Sequence, residues 1–179
     1  MKEARTLARD VTATAIPYGE KVPLRTGTTV YLTQSLGGTY TVVTDMGYMV
    51  RIEGVDADAI GEEARKGPTE EEQAGKSLKD LVWDQLKTCY DPEIPVNIVD
   101  LGLVYSCEIE ERGEGGQRVS VSFTLTAPGC GMGDVLKNDI EAKVRELPDV
   151  RETSVVIAFE PAWSQSMMSE AARLQLGLM

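Results

Sequence analysis

The sequence predicts an α/β chain of the α+β kind, in which a small all-β module precedes an α-β-β-α-β sandwich built on a three-stranded mixed sheet. Three observations carry that expectation. Residues 8–52 are rich in Thr, Val, Tyr and Gly and alternate in short runs, residues 53–76 turn acidic and polar, and the remainder switches between helical and strand periodicity. The expected organisation is a β-rich module over 1–55, an acidic linker over 56–76 and an α/β domain with a helical tail over 77–179.

In the module, Thr28-Thr29-Val30-Tyr31-Leu32-Thr33 and Thr39-Tyr40-Thr41-Val42-Val43-Thr44 read as strands, since β-branched and aromatic side chains suit a pleated surface. Gly19, Thr26-Gly27, Gly37-Gly38 and Asp45-Met46-Gly47 punctuate them at hairpin intervals. Gly37-Gly38 is also a shape that can cradle phosphate, but a P-loop lysine and a following helix are missing, so a hairpin turn is the expectation. The run Glu70-Glu71-Glu72, with Gly67-Pro68 before it, marks the boundary between domains.

Beyond the boundary, Leu78, Leu81, Val82, Leu86 and Cys89 share one helical face, with Ser77 as its cap and Asp91-Pro92 as its stop. Leu103, Tyr105, Cys107 and Ile109 alternate with polar residues, as do Val119, Val121, Phe123 and Leu125, and Gly113-Glu114-Gly115-Gly116 joins the two runs as a hairpin. A second helical stripe, Leu136, Ile140, Val144 and Leu147, ends at Pro148, and Val155, Ile157 and Phe159 supply a third strand. In the tail, Met167, Met168, Ala171, Leu174 and Leu178 form an apolar helical stripe that either packs on the sheet or receives a partner.

Composition narrows the chemistry. A chain of 179 residues, 42% hydrophobic and 26% charged, has the profile of an ordinary soluble protein. Its net charge of -11 argues against nucleic acid and anionic membranes as partners, because phosphate binding needs clustered Lys and Arg. No apolar run is long enough to span a bilayer and the first residues lack a signal-peptide core, so the expected location is the cytoplasm. There is no histidine, which removes Ser-His-Asp and Cys-His catalysis and the imidazole zinc sites. The three cysteines, Cys89, Cys107 and Cys130, show neither the Cys-x-x-Cys spacing of a redox dithiol nor that of a zinc knuckle. Cys89 and Cys107 fall on apolar faces and read as packing residues.

Cys130 is different. It sits in Ala127-Pro128-Gly129-Cys130-Gly131-Met132-Gly133, between a strand and a helix, where glycines let the backbone turn and the helix N-terminus favours a thiolate. That arrangement serves a nucleophile as well as a metal ligand. A second irregular segment, 91–105, holds Asp91 and Glu93 in a proline-fixed loop that can lie beside Cys130; read alone, Asp91 is a helix stop, and Glu93 and Asp100 are solvated loop acids.

The 91–105 segment, Thr126-Ala127-Pro128-Gly129-Cys130 and the tail Pro161-Ala162-Trp163-Ser164-Gln165-Ser166-Met167-Met168-Ser169-Glu170-Ala171-Ala172-Arg173-Leu174 together resemble the SufT family of iron-sulfur cluster assembly proteins, within the wider metal-sulfur cluster group. Leu36-Gly37-Gly38-Thr39-Tyr40 in the β module also resembles that family. The resemblance implies a non-enzymatic maturation factor, a carrier or an adaptor between the assembly machinery and apo client proteins. It implies that Cys130 is the functional cysteine, that Asp91 and Glu93 form its Asp-Pro-Glu motif, and that Thr126 lines the site. Ala127 stands where many relatives carry a second threonine.

Iron-sulfur clusters are commonly held by four protein sulfurs, and each chain offers one well-placed thiol. The expected arrangement is therefore a homodimer sharing a labile iron-sulfur cluster between two copies of Cys130, with small thiols, Glu93 or a partner completing the ligands. The rival reading is a thiol enzyme, an exchanger or transferase with Cys130 as nucleophile and Glu93 as base. Against it stand the missing imidazole and the missing resolving cysteine.

Overall fold

The computed structural model describes residues 3–16, 18–65, 67–91, 94–113, 115–127 and 133–178. The chain divides into two units, Met1–Lys66 and Gly67–Met179.

In the first unit six strands form one antiparallel sheet: β1 (Glu3–Thr6), β2 (Val11–Ala15), β3 (Lys21–Leu24), β4 (Thr29–Leu36), β5 (Thr39–Thr44) and β6 (Met49–Ile52), in the order β1-β4-β5-β6-β2-β3. Gly37 and Gly38 both have positive φ, 65° and 78°, and Leu36 pairs with Thr39. That is the two-residue hairpin whose backbone twist suits adjacent strands, so the Gly-Gly pair is a turn. Alternation buries Val30, Val42, Val50 and Ile52 completely or nearly so, around Leu7 and Ala13. Within the stretch read as a linker, Gly54–Ile60 is a 3-10 helix whose Ala57, Ala59 and Ile60 are buried in this unit. Their small or apolar side chains alternate with Asp56 and Asp58, which both take hydrogen bonds from Arg9 at 2.7–2.9 Å.

The second unit begins with α1 (Glu70–Gln73), a helical turn closed by the Thr69–Glu72 capping box. It continues through α2 (Leu78–Leu86), β7 (Val104–Arg112), β8 (Gly116–Phe123), α3 (Gly133–Arg145), β9 (Val150–Ile157) and α4 (Glu170–Gln175). The expected α-β-β-α-β order and mixed sheet are present: β8 pairs antiparallel with β7 and parallel with β9. Parallel pairing requires a crossover, and α3 supplies it. Leu81, Val82 and Leu86 of α2 and Leu136, Ile140 and Val144 of α3 share one core with Val119, Val121 and Phe123.

Three local expectations are corrected. Cys89 is fully buried but lies beyond α2, which ends at Leu86. The third strand runs over Val150–Ile157, and Phe159 lies outside it with half its surface exposed. Asp149, at a left-handed φ of 66°, turns the chain after Pro148, and its carbonyl accepts Gln117 N at 2.8 Å, so pairing starts at once. The tail stripe is out of register. A 3-10 turn over Gln165–Met167 and an extended Met168 interrupt it, so Met168 and Ala172 are buried while Leu174 and Leu178 are 62% and 45% exposed.

Candidate functional site at one end of the mixed sheet

Because β8 is antiparallel to β7 and parallel to β9, the loop before β7, the segment after β8 and the segment after β9 meet at one end of the sheet. Backbone pairing continues past the strands there: Thr124 N donates to Leu103 O at 2.8 Å and Ala158 N to Phe123 O at 2.7 Å. Thr124 and Leu125 are buried, Thr126 is half-buried and Ala127 is exposed, so the chain emerges from the core at Thr126.

Gly133 opens α3 and is itself buried. A Cβ there would lie 3.0 Å from Ile157 Cδ1 and 3.1 Å from Leu125 Cδ1, so the start of the helix is pressed onto the ends of β8 and β9. Asp134 in the first turn and Lys143 and Arg145 in the last complement the helix dipole. Cys130, with the rest of 128–132, falls between these two anchored ends and outside the described residues.

The loop before β7 is built from local polar contacts over a buried apolar floor. Tyr90 bridges Asn97, and Ile98 N donates to Cys89 O at 2.9 Å. Asn97 Nδ2 donates to Asp100 Oδ2 at 2.7 Å, while its Oδ1 accepts Asp100 N at 2.9 Å. Val96, Ile98, Leu101 and Leu103 fill the floor. Asp91 is buried, with Oδ1 accepting Ile94 N at 3.3 Å. Asp91, read alone as a helix stop, thus turns its short side chain inward to bind its own loop; Glu93 lies outside the described residues. Of the four candidate site residues, the structure describes Asp91 and Thr126, on two of the segments that converge at this sheet end.

The other sulfurs are in different states. Cys89 is sealed in the core, its Sγ 3.6 Å from Gln85 O. Cys107 is half-buried beside Leu78, Lys79 and Ile109 in an open groove of about 650 Å³. Burial pushes its thiol above the ordinary 9.0, with Glu108 adding to the rise and Lys79 opposing it. Among the described residues no group of three His, Cys, Asp or Glu side chains is arranged to hold a metal ion.

Two features went unread in the sequence. Asp139 is 4% exposed, 3.6 Å from Lys143, whose Nζ donates to Thr88 O at 2.7 Å and so ties α3 to the segment before Asp91. An acid at position 139, four residues before a lysine and among apolar stripe residues, was the available signal. The second is Trp163, whose Nε1 donates to Leu101 O at 2.7 Å. A bond to a backbone carbonyl leaves no mark in sequence.

The profile of a family described as iron-sulfur cluster assembly protein matches residues 79–157, inside the second unit. A protein of Porphyromonas gingivalis named Fe-S protein maturation auxiliary factor is 44% identical over 94 residues, covering 52% of this chain and 86% of its own length. The Staphylococcus aureus Fe-S protein maturation auxiliary factor SufT is 36% identical over 88 residues, covering 49% of this chain and 96% of that protein. A crystal structure from Bacillus anthracis, of a domain of unknown function named DUF59, aligns at 31% identity with a TM-score of 0.48, over 57% of this chain and 93% of that one.

Proposed function

This chain belongs to the iron-sulfur cluster assembly protein family, and on that premise we propose that it is an iron-sulfur protein maturation factor acting through Cys130. The cluster is its cargo, received from the assembly machinery and passed to apo client proteins, and the chain performs no catalysis on it. The names of the relatives support this reading at the level of pathway.

The observation that carries the residue-level reading is the disposition of sulfur. Cys89 is sealed and Cys107 is half-buried with its thiol pushed up by burial, which leaves Cys130 as the thiol between the end of β8 and the start of α3. One such sulfur per chain is too few to hold a cluster tightly, since such a cluster is commonly held by four thiolates. Two chains related by a two-fold axis would present two copies, with Asp91, Glu93 and Thr126 lining each half and small thiols or a partner filling the remaining positions. Incomplete ligation makes the cargo labile, as a carrier requires. The reading puts the chain in the cytoplasm, where thiols stay reduced.

A second reading within the same family is an adaptor that binds no cluster and recruits clients through the same segment. A thiol enzyme is disfavoured by the lack of any histidine to activate Cys130 and by the burial of Cys89.

The test uses wild type and Cys130→Ser, purified and reconstituted without oxygen. The carrier reading expects sulfide-to-iron charge-transfer absorption in the wild type, its loss in Cys130→Ser, and reactivation of apo-aconitase by the loaded wild type alone. A colourless wild type that still binds assembly proteins would replace carrier with adaptor, and equal iron in both proteins would remove Cys130 from the site.

A further inference from the structure

The carbonyls of the loop before β7 are held from outside the family-matched region. After β9 the chain runs back across this loop. Trp163 Nε1 donates to Leu101 O at 2.7 Å, Ser169 N to Asp100 O at 2.8 Å and Gln175 Nε2 to Pro95 O at 3.0 Å. At the start of β7, Tyr105 Oη donates to Pro161 O at 2.6 Å and lies 3.8 Å from Met167 Sδ. Gly102, at a φ of 76°, is approached so closely that any Cβ would collide with the Met167 carbonyl. Met168 and Ala172 enter the same core as Ile98, Leu101 and Leu103.

The loop's own backbone bonds, Leu101 N to Asn97 O, Gly102 N to Val99 O and Leu103 N to Ile98 O, close short turns and leave the carbonyls of Pro95, Asp100 and Leu101 facing the tail. All three are taken by the tail, and two of them, Asp100 and Leu101, are consecutive residues of the loop. A side chain that must meet a ligand in fixed geometry needs its supporting backbone fixed first.

We propose that residues 161–175 are a clamp that positions the Asp91 loop for the site, with Trp163 as its principal positioning residue. This rests on the reading that Asp91 lines the Cys130 site. Residues 79–157, which the family profile matches, are then insufficient for that geometry, and the tail is a working part of the site rather than a docking arm.

The test is made on the full chain with Trp163→Phe, which keeps the ring and removes the donor, and Tyr105→Phe, which removes the second donor from a strand. Hydrogen–deuterium exchange followed by mass spectrometry is read at 94–103 against 119–123, and iron, sulfide and the charge-transfer band are measured after reconstitution without oxygen. Expected for Trp163→Phe are a melting temperature within about 3 °C of wild type, faster exchange confined to 94–103, an altered charge-transfer band and about tenfold less retained iron. Tyr105→Phe should change the same quantities in the same direction by less, and it decides the matter if Trp163→Phe does not fold. Unchanged exchange at 94–103, or wild-type iron retention with a wild-type band, overturns the clamp. If wild type retains no more iron than Cys130→Ser, the carrier reading fails by itself, and the clamp stands or falls on the exchange at 94–103.

Discussion

The two sheets of this protein solve the same problem with different connections. In the first unit every neighbouring pair of strands is antiparallel, and the β4–β5 hairpin turns on just two glycines, Gly37 and Gly38. In the second unit β8 and β9 run parallel, so the chain must leave the end of β8, cross in α3 and return. Tight hairpins hide their backbone groups and offer little room for a ligand. A crossover instead creates a strand end and a helix start side by side, which is where glycine-framed Cys130 lies in sequence. The difference teaches that the site follows from connectivity: a parallel crossover produces a junction that a tight hairpin lacks.

Several substitutions test how independent the two halves of this comparison are. The largest expected effect is Lys143→Met, which removes the cation beside the buried Asp139 carboxylate and releases Thr88 O, at a cost of about 3 kcal/mol to the second unit. Both tryptophans, Trp83 and Trp163, belong to that unit, so urea unfolding followed by indole fluorescence reports on it selectively. An unchanged midpoint would mean that the pair holds nothing in place.

A glycine from each unit comes next. Gly133→Ala brings a Cβ against Ile157 and Leu125 and should cost about 2 kcal/mol by crowding, read by the same fluorescence. At Gly38 a Cβ would meet nothing within 4 Å, yet φ is 78°, so Gly38→Ala should cost about 1 kcal/mol through backbone strain alone. Amide exchange at Val42 and Val50 measures the latter. A reversed ranking would show that the junction tolerates bulk better than the hairpin tolerates strain.

The smallest effects are of pH. Thr26 N and Oγ1 donate to Asp10 Oδ1 at 2.7 and 2.8 Å and hold that carboxyl below its ordinary 3.8. A depressed folded pKa adds stability that is complete above the unfolded value and lost as pH falls through the folded one, so the first unit should weaken slightly below about pH 4 and Asp10→Asn should remove that component. The Cys107 thiol, raised by burial, has the opposite sense: its contribution is complete below the ordinary 9.0 and lost as pH rises through the higher folded value. Cys107→Ala should flatten the alkaline limb of the second unit's stability and leave the first unit's unchanged.

Patterns that repeat were legible in the sequence, and contacts that do not repeat were not. Alternation identified β8 through Val119, Val121 and Phe123, and helical spacing identified α3 through Leu136, Ile140 and Val144, because burial on one face imposes a period. The boundaries failed where a local conformation broke the period: Asp149 moved the start of β9, and the extended Met168 rotated the tail's apolar residues away from the face they were read on. In the site, residue chemistry singled out Cys130 and the Asp91 loop, but not that Asp91 turns inward to Ile94 N, nor that Leu101 O is the acceptor for Trp163. Those depend on where backbone groups point, which no side chain announces.

The distance along the chain between the clamp and what it holds has a bearing on synthesis. Trp163 is 62 residues from Leu101, and Gln175 is 80 residues from Pro95. A nascent chain grows from its N-terminus, so the loop is made long before its outer hydrogen-bond partners exist. A polypeptide interrupted after Ile157 would carry every residue matched by the family profile and none of those partners, which makes residues 158–179 the stretch at which this loop first acquires its final form.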